Sequence, residues 1–114
     1  LGGFSQGACL ALDAAARRGG RLGGVIAYAG GLIGPEIDRA RYAPDLAGTP
    51  IFLGSSDPDP HIPTDRVEES AATLRELGAV VDLRLYPDLG HTVNEDQLDA
   101  GRALLARVLR DADT

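Results

Sequence analysis

Gly3-Phe4-Ser5-Gln6-Gly7 sets a glycine two residues to either side of a serine, directly ahead of Ala8-Cys9-Leu10-Ala11-Leu12-Asp13-Ala14-Ala15-Ala16, a run of strong helix formers. That spacing suits a sharp turn from strand to helix, with the serine hydroxyl lifted above the edge of a sheet. Apolar Leu1 and Phe4 close the strand. Gly3 and Gly7 are both expected to be required, because a Cβ at either place would strike the neighbouring strand or helix. A strand able to anchor such a turn begins several residues earlier, and the chain opens with Leu rather than Met. The expectation is therefore the C-terminal part of a larger domain.

The rest of the chain alternates strand and helix. The helix from Gln6 to Arg18 ends at Gly19-Gly20, where glycine supports a left-handed cap. Gly24-Val25-Ile26-Ala27-Tyr28-Ala29 is short and apolar on both faces, as a buried parallel strand requires. Residues 30–46 read as a loop-rich excursion, with Pro35-Glu36-Ile37-Asp38 starting a short helical turn, and Thr49-Pro50-Ile51-Phe52-Leu53-Gly54 as a second buried strand. A Pro- and Asp-rich loop is expected from Ser55 to Pro63. Thr64 is expected to cap a helix over Asp65 to Leu77, with Val67, Ala71, Leu74 and Leu77 on one face and Gly78 as the stop. Val80 to Tyr86 alternates like an edge strand. Asn94 or Thr92 caps a last helix to about Asp111, with Leu98, Ala103, Leu104, Val108 and Leu109 as its apolar positions. This order implies one α/β domain, a parallel sheet with right-handed crossovers flanked by helices in three layers.

Composition narrows the function. With 11 basic residues, all arginine, against 17 acidic ones and a net charge of −6, the chain lacks the clustered basic surface of a nucleic-acid binder. No apolar run is long enough to span a membrane. The single Cys9 excludes an internal disulfide and fits a reducing, cytoplasmic compartment.

Three polar sites fall at the C-terminal ends of strands, where open α/β sheets carry their functional residues. Ser5 follows the first strand, the Asp57/Asp59 pair the third, and His91 the last. A serine hydroxyl becomes a useful nucleophile once an imidazole accepts its proton, and a carboxylate behind the ring holds the tautomer. The order Ser…Asp…His is that of the α/β-hydrolases. Singly, each residue has a plainer role: Ser5 as a helix cap, His91 as a loop or capping residue, and the two aspartates as turn formers. Cys9 reads as a small buried thiol packing helix against sheet, and Asp65, Glu68 and Glu69 with Arg66 and Arg75 as a solvated helix face. Asp57, Asp59 and His61 contain possible metal ligands, but the prolines at 58 and 60 and the triad assignment explain them better, so neither metal nor cofactor is expected.

Gly-Phe-Ser-Gln-Gly-Ala at residues 3–8, the stretch from Gly54 to Pro63, and Tyr86-Pro87-Asp88-Leu89-Gly90-His91 together resemble the phospholipase/carboxylesterase family of α/β-hydrolases, which includes acyl-protein thioesterases. The resemblance runs over nearly the whole chain but matches only the C-terminal half of the family's domain. It implies a serine esterase or thioesterase acting on small-molecule substrates, with Ser5 as nucleophile and His91 as base. For the acid, Asp59-Pro60-His61-Ile62-Pro63 matches the family's Asp-Pro-x-Val-Pro register, whereas Asp57 matches the spacing counted from Gly54. Asp59 is preferred because its match continues through Pro63 into the next helix, which leaves His61 on the pocket rim without a catalytic role. The N–H of Gln6 is the expected oxyanion donor. The second donor, typically from an HGxG-like loop early in the domain, is not among these residues, so a piece of this extent is expected to be weakly active alone. Two rivals remain at this level: a dienelactone-hydrolase-like enzyme, which shares the fold and triad logic, and a non-catalytic fragment or interaction module.

Overall fold

The structure, a computed structural model, describes residues 1–33, 37–43 and 45–112, with residues 111 and 112 described by their backbone alone. Four strands, β1 (Gly2–Phe4), β2 (Val25–Tyr28), β3 (Pro50–Asp57) and β4 (Val80–Pro87), form one parallel sheet in the order β1-β2-β3-β4. Three helices connect or follow them: α1 (Gln6–Arg18), α2 (Thr64–Glu76) and α3 (Glu95–Ala112).

Alternation along the strands divides the helices between the two faces. Val25, Ala27, Ile51 and Leu53 point into a core closed by Ala8, Leu12, Ala15 and Ala16 of α1 and by Val67, Ala71 and Leu74 of α2. Ile26, Tyr28, Phe52 and Gly54 point the other way, toward Gln97 and Gly101 of α3. The alanine-rich face of α1 serves two ends: alanine is the best helix former, and its small side chain lets the helix lie close on the sheet. Burial of each large aliphatic side chain such as Leu12 or Leu74, neither of them solvent-exposed, contributes about 1.5–3 kcal/mol.

Several expectations change in the folded chain. β3 runs to Asp57 instead of stopping at Gly54, because Ser55, Ser56 and Asp57 pair with Leu85, Tyr86 and Pro87 of an equally long β4. Pro63, not Thr64, holds the N-cap position of α2; the Thr64 hydroxyl donates instead to Asp57 Oδ1 at 2.9 Å. On α3, Ala103 and Leu109 face solvent, and the buried positions are Gln97, Gly101 and Leu104. The helical turn expected from Pro35 falls partly on residues outside those described. A 3₁₀ turn lies later, at Arg39–Arg41, with Asp38 Oδ1 accepting from the Ala40 N–H at 3.0 Å. Asn94 caps α3, its Oδ1 accepting from the Gln97 N–H at 2.9 Å. β4 lies at the sheet edge, as its alternation predicts. Among the described residues no helix is long and apolar enough to cross a membrane.

Candidate active site

Ser5 occupies the turn between β1 and α1 with φ at 56°, a left-handed conformation that is strained for a residue bearing a Cβ. The turn is held from both sides. The Ser5 N–H donates to Tyr28 O of β2 at 2.8 Å, and Gly3 lies so close to the start of α1 that a Cβ there would be 2.3 Å from the Gly7 carbonyl carbon. Gly7 itself is different: among the described residues a Cβ there would meet no atom within 4 Å, so the expectation that both glycines are sterically required is met here for Gly3 alone. Although Ser5 sits at the N-cap position, its side chain makes no capping bond; Oγ lies 2.7 Å from His91 Nε2.

His91 lies in the loop between β4 and α3. The Gly90 N–H donates to Ser56 Oγ at 2.8 Å and the Asp88 N–H to Asp57 O at 3.1 Å, which ties this loop to the end of β3. Beyond the loop, Tyr86 of β4 donates to Asp96 of α3 at 2.5 Å, and Arg84 reaches the same carboxylate at 3.0 Å. The loop is thus bounded by linked elements on both sides. Sequence reasoning assigned nothing to Ser56, and only its register at the end of a longer β3 marks it out.

Asp59 follows β3, beyond a cis Asp57–Pro58 peptide, and its side chain is fully buried. Its Oδ2 and Oδ1 lie 2.8 and 3.1 Å from His91 Nδ1, and Oδ1 also accepts from the His61 N–H at 2.7 Å. Asp57, exposed at the strand end, turns to Thr64 instead. Burial pushes the Asp59 carboxyl up, but the hydrogen bonds from His91 and from the His61 and Ile62 N–H groups overcome that and hold it below the ordinary value of 3.8. Asp59 is therefore ionised at neutral pH and can only accept, which places the imidazole proton on Nδ1 and leaves the Nε2 lone pair facing the Ser5 hydroxyl. That is the arrangement in which the serine proton can pass to the ring.

Ser5 and His91 open onto a cavity of about 490 Å³ with an apolar wall formed by Ala29, Leu32, Ile62 and Pro63. Gln6, the first residue of α1, also lines it. Early N–H groups of a helix have no acceptor within the helix and present partial positive charge, so the Gln6 N–H is chemically suited to an oxyanion. Two residues differ from their expected roles. Cys9 is half-buried and lines the cavity, with Sγ accepting from the Gly31 N–H at 3.5 Å, instead of being sealed beneath α1. Arg66, expected on a solvated face, is half-buried at the cavity and donates to Leu32 O at 3.2 Å. Asp65, Glu68, Glu69 and Arg75 do face solvent. His61 is at the rim, as expected, but its ring also contacts His91, at 4.3 Å between centroids, and Phe4 does so at 5.1 Å.

Comparison with known proteins places this geometry in context. A family model described as phospholipase/carboxylesterase matches residues 1–108. Acyl-protein thioesterase 1 of Gibberella zeae is 32% identical over 111 residues, which cover 96% of this chain and 47% of that protein. The crystal structure of a phospholipase/carboxylesterase from Dyadobacter fermentans superposes with a TM-score of 0.87 at 41% identity, over 91% of this chain and 50% of that one. The Bacillus cereus carboxylesterase, 19% identical, shares the fold with a TM-score of 0.73 over 93% of this chain and 48% of its own. This chain thus spans about half the length of the relatives it matches. The sheet and its flanking helices are part of an α/β-hydrolase fold, and with a family match over residues 1–108 the chain belongs to the phospholipase/carboxylesterase family.

Proposed function

We propose that the protein is a serine hydrolase that cleaves carboxylic esters or thioesters through an acyl-enzyme intermediate. The observation that carries this reading is the continuous chain from Ser5 Oγ to His91 Nε2 at 2.7 Å and from His91 Nδ1 to Asp59 at 2.8 Å, opening on the cavity. In the first half-reaction Ser5 Oγ attacks the substrate carbonyl carbon while His91 Nε2 takes the hydroxyl proton. Asp59 stabilises the imidazolium so formed, and the Gln6 N–H faces the developing oxyanion. His91 then gives its proton to the leaving alcohol or thiol. In the second half-reaction it takes a proton from water, whose oxygen attacks the acyl carbon. His91 returns that proton to Ser5 Oγ as the acyl–Oγ bond breaks, releasing the acid and free Ser5. Every proton moves through side chains of this protein.

The substrate is a small molecule whose acyl part lies against the apolar wall, not a nucleic acid. Thioester and ester cleavage are both supported by family membership, since the relatives include a thioesterase and a phospholipase/carboxylesterase. The free thiol of Cys9 suits a cytoplasmic setting.

The test is covalent. A fluorophosphonate probe applied to the full-length protein is expected to label Ser5, and Ser5→Ala to remove both the label and hydrolysis of a short p-nitrophenyl ester, a fall of about 10⁴-fold or more in kcat. His91→Ala alone is expected to cost about as much, because members of a triad act as a unit. Labelling that survives Ser5→Ala would overturn the assignment.

A further inference from the structure

Two hydrogen bonds, one at each ring nitrogen, fix the His91 imidazole along the line from Asp59 to Ser5. They hold the ring less firmly against tipping off that line, which would bend both bonds away from linearity and weaken them. Contact from a neighbouring ring resists such a tip, and His61 supplies one, with centroids 4.3 Å apart and planes inclined at 54°. His61 is also linked to Asp59, because its main-chain N–H donates to Asp59 Oδ1 at 2.7 Å. One residue thus holds the acid through its backbone and meets the base through its side chain.

We propose that His61 is a positioning residue, whose flat ring packs on His91 and keeps the imidazole aligned between Ser5 and Asp59. The inference rests on the triad reading given above and adds to it a part played by the side chain at position 61. Aromatic pairs of this kind favour offset or tilted contacts and contribute beyond simple burial. Small misalignments of a proton-transfer group cost rate in the chemical step more than they cost binding. The geometry also isolates the ring experimentally: any residue other than proline at position 61 keeps the N–H that anchors Asp59. His61 is solvent-exposed, so its side chain is changeable with little effect on the core.

The experiment compares wild type, His61→Ala and His61→Phe in the full-length protein. It follows kcat and KM on a short p-nitrophenyl ester, the rate of fluorophosphonate labelling, and thermal unfolding. His61→Ala is expected to lower kcat and the labelling rate about tenfold, with KM within about twofold and Tm unchanged. His61→Phe, which restores a flat ring, is expected to recover most of both. Should His61→Ala lose its cooperative unfolding transition, His61→Leu, of similar bulk without a flat ring, replaces it and the same outcomes apply. Wild-type kcat in the ring-less variant, equal losses in the Ala and Phe variants, or a change confined to KM would each overturn the inference while leaving the triad reading intact. A wild-type protein that neither hydrolyses the ester nor takes the label overturns the hydrolase reading, and this inference with it.

Discussion

β1 and β3 carry the two ends of the Ser5–His91–Asp59 chain and hold them in different ways. β1, Gly2–Phe4, pairs with β2 and runs directly into the turn that bears Ser5. β3 is eight residues long, lies between β2 and β4, and buries residues 51–56. The serine is positioned by backbone crowding in a strained turn, where Gly3 lies against Gly7 and the Ser5 N–H is held by Tyr28. Asp59 is positioned by burial and by hydrogen bonds just past the end of a strand that cannot shift without breaking the sheet. Crowding acts between residues close in sequence, whereas burial depends on the register of several strands.

The sharpest way to break this comparison is at the β3 end. Asp59→Asn in the full-length protein is expected to lower kcat by about 10⁴-fold, because an amide no longer holds the tautomer that presents the Nε2 lone pair. Asp57→Asn, which touches only the link to Thr64, is expected to change kcat by a small factor. Steady-state kinetics on the two variants decides between them, and a larger loss from Asp57→Asn would transfer the role of acid.

At the β1 end the comparison is steric and is read by thermal unfolding. Gly3→Ala pushes a methyl into the Gly7 backbone and is expected to destabilise the protein by about 1–3 kcal/mol. Gly7→Ala enters open space in a helix and is expected to stabilise it by about 0.5–1 kcal/mol. Equal destabilisation by the two would mean that the turn at Ser5 depends on both glycines after all.

The smallest effect lies in acid. The Asp59 carboxyl is held below 3.8 in the folded protein, so its ionised form contributes stability that is present above that value and is lost as pH falls through the folded one. Asp59→Asn should accordingly flatten the fall of Tm with pH below about pH 4, whereas Ser5→Ala, at the β1 end, should keep the wild-type slope. Parallel curves for all three proteins would show that Asp59 is not the group whose titration is felt there.

Where the physics is local, the chain is legible. The α2 face of Val67, Ala71, Leu74 and Leu77 is buried as its spacing requires, and Gly19 ends α1 with φ at 68°. Where partners are distant, it is not. β3 extends past Gly54 because β4 is long enough to pair with it, and no property of Ser55 or Ser56 by itself announces that. Gln97, fully buried over Gly54 on α3, is hidden from any pattern that equates burial with apolarity.

The order of strands and helices, the strand-to-helix turn at Ser5 and the succession of serine, aspartate and histidine at strand ends are set by the sequence alone, since periodicity and turn chemistry act over a few residues. Which aspartate meets His91, which glycine the turn needs, and that His61 and Phe4 lie against the imidazole were decided only by the tertiary structure. Asp59 and His91 are brought together by the pairing of β3 with β4 and by a loop anchored on Ser56, across thirty-two residues of sequence. Contacts at that range depend on the sum of register, burial and loop closure, and short-range spacing carries no record of that sum.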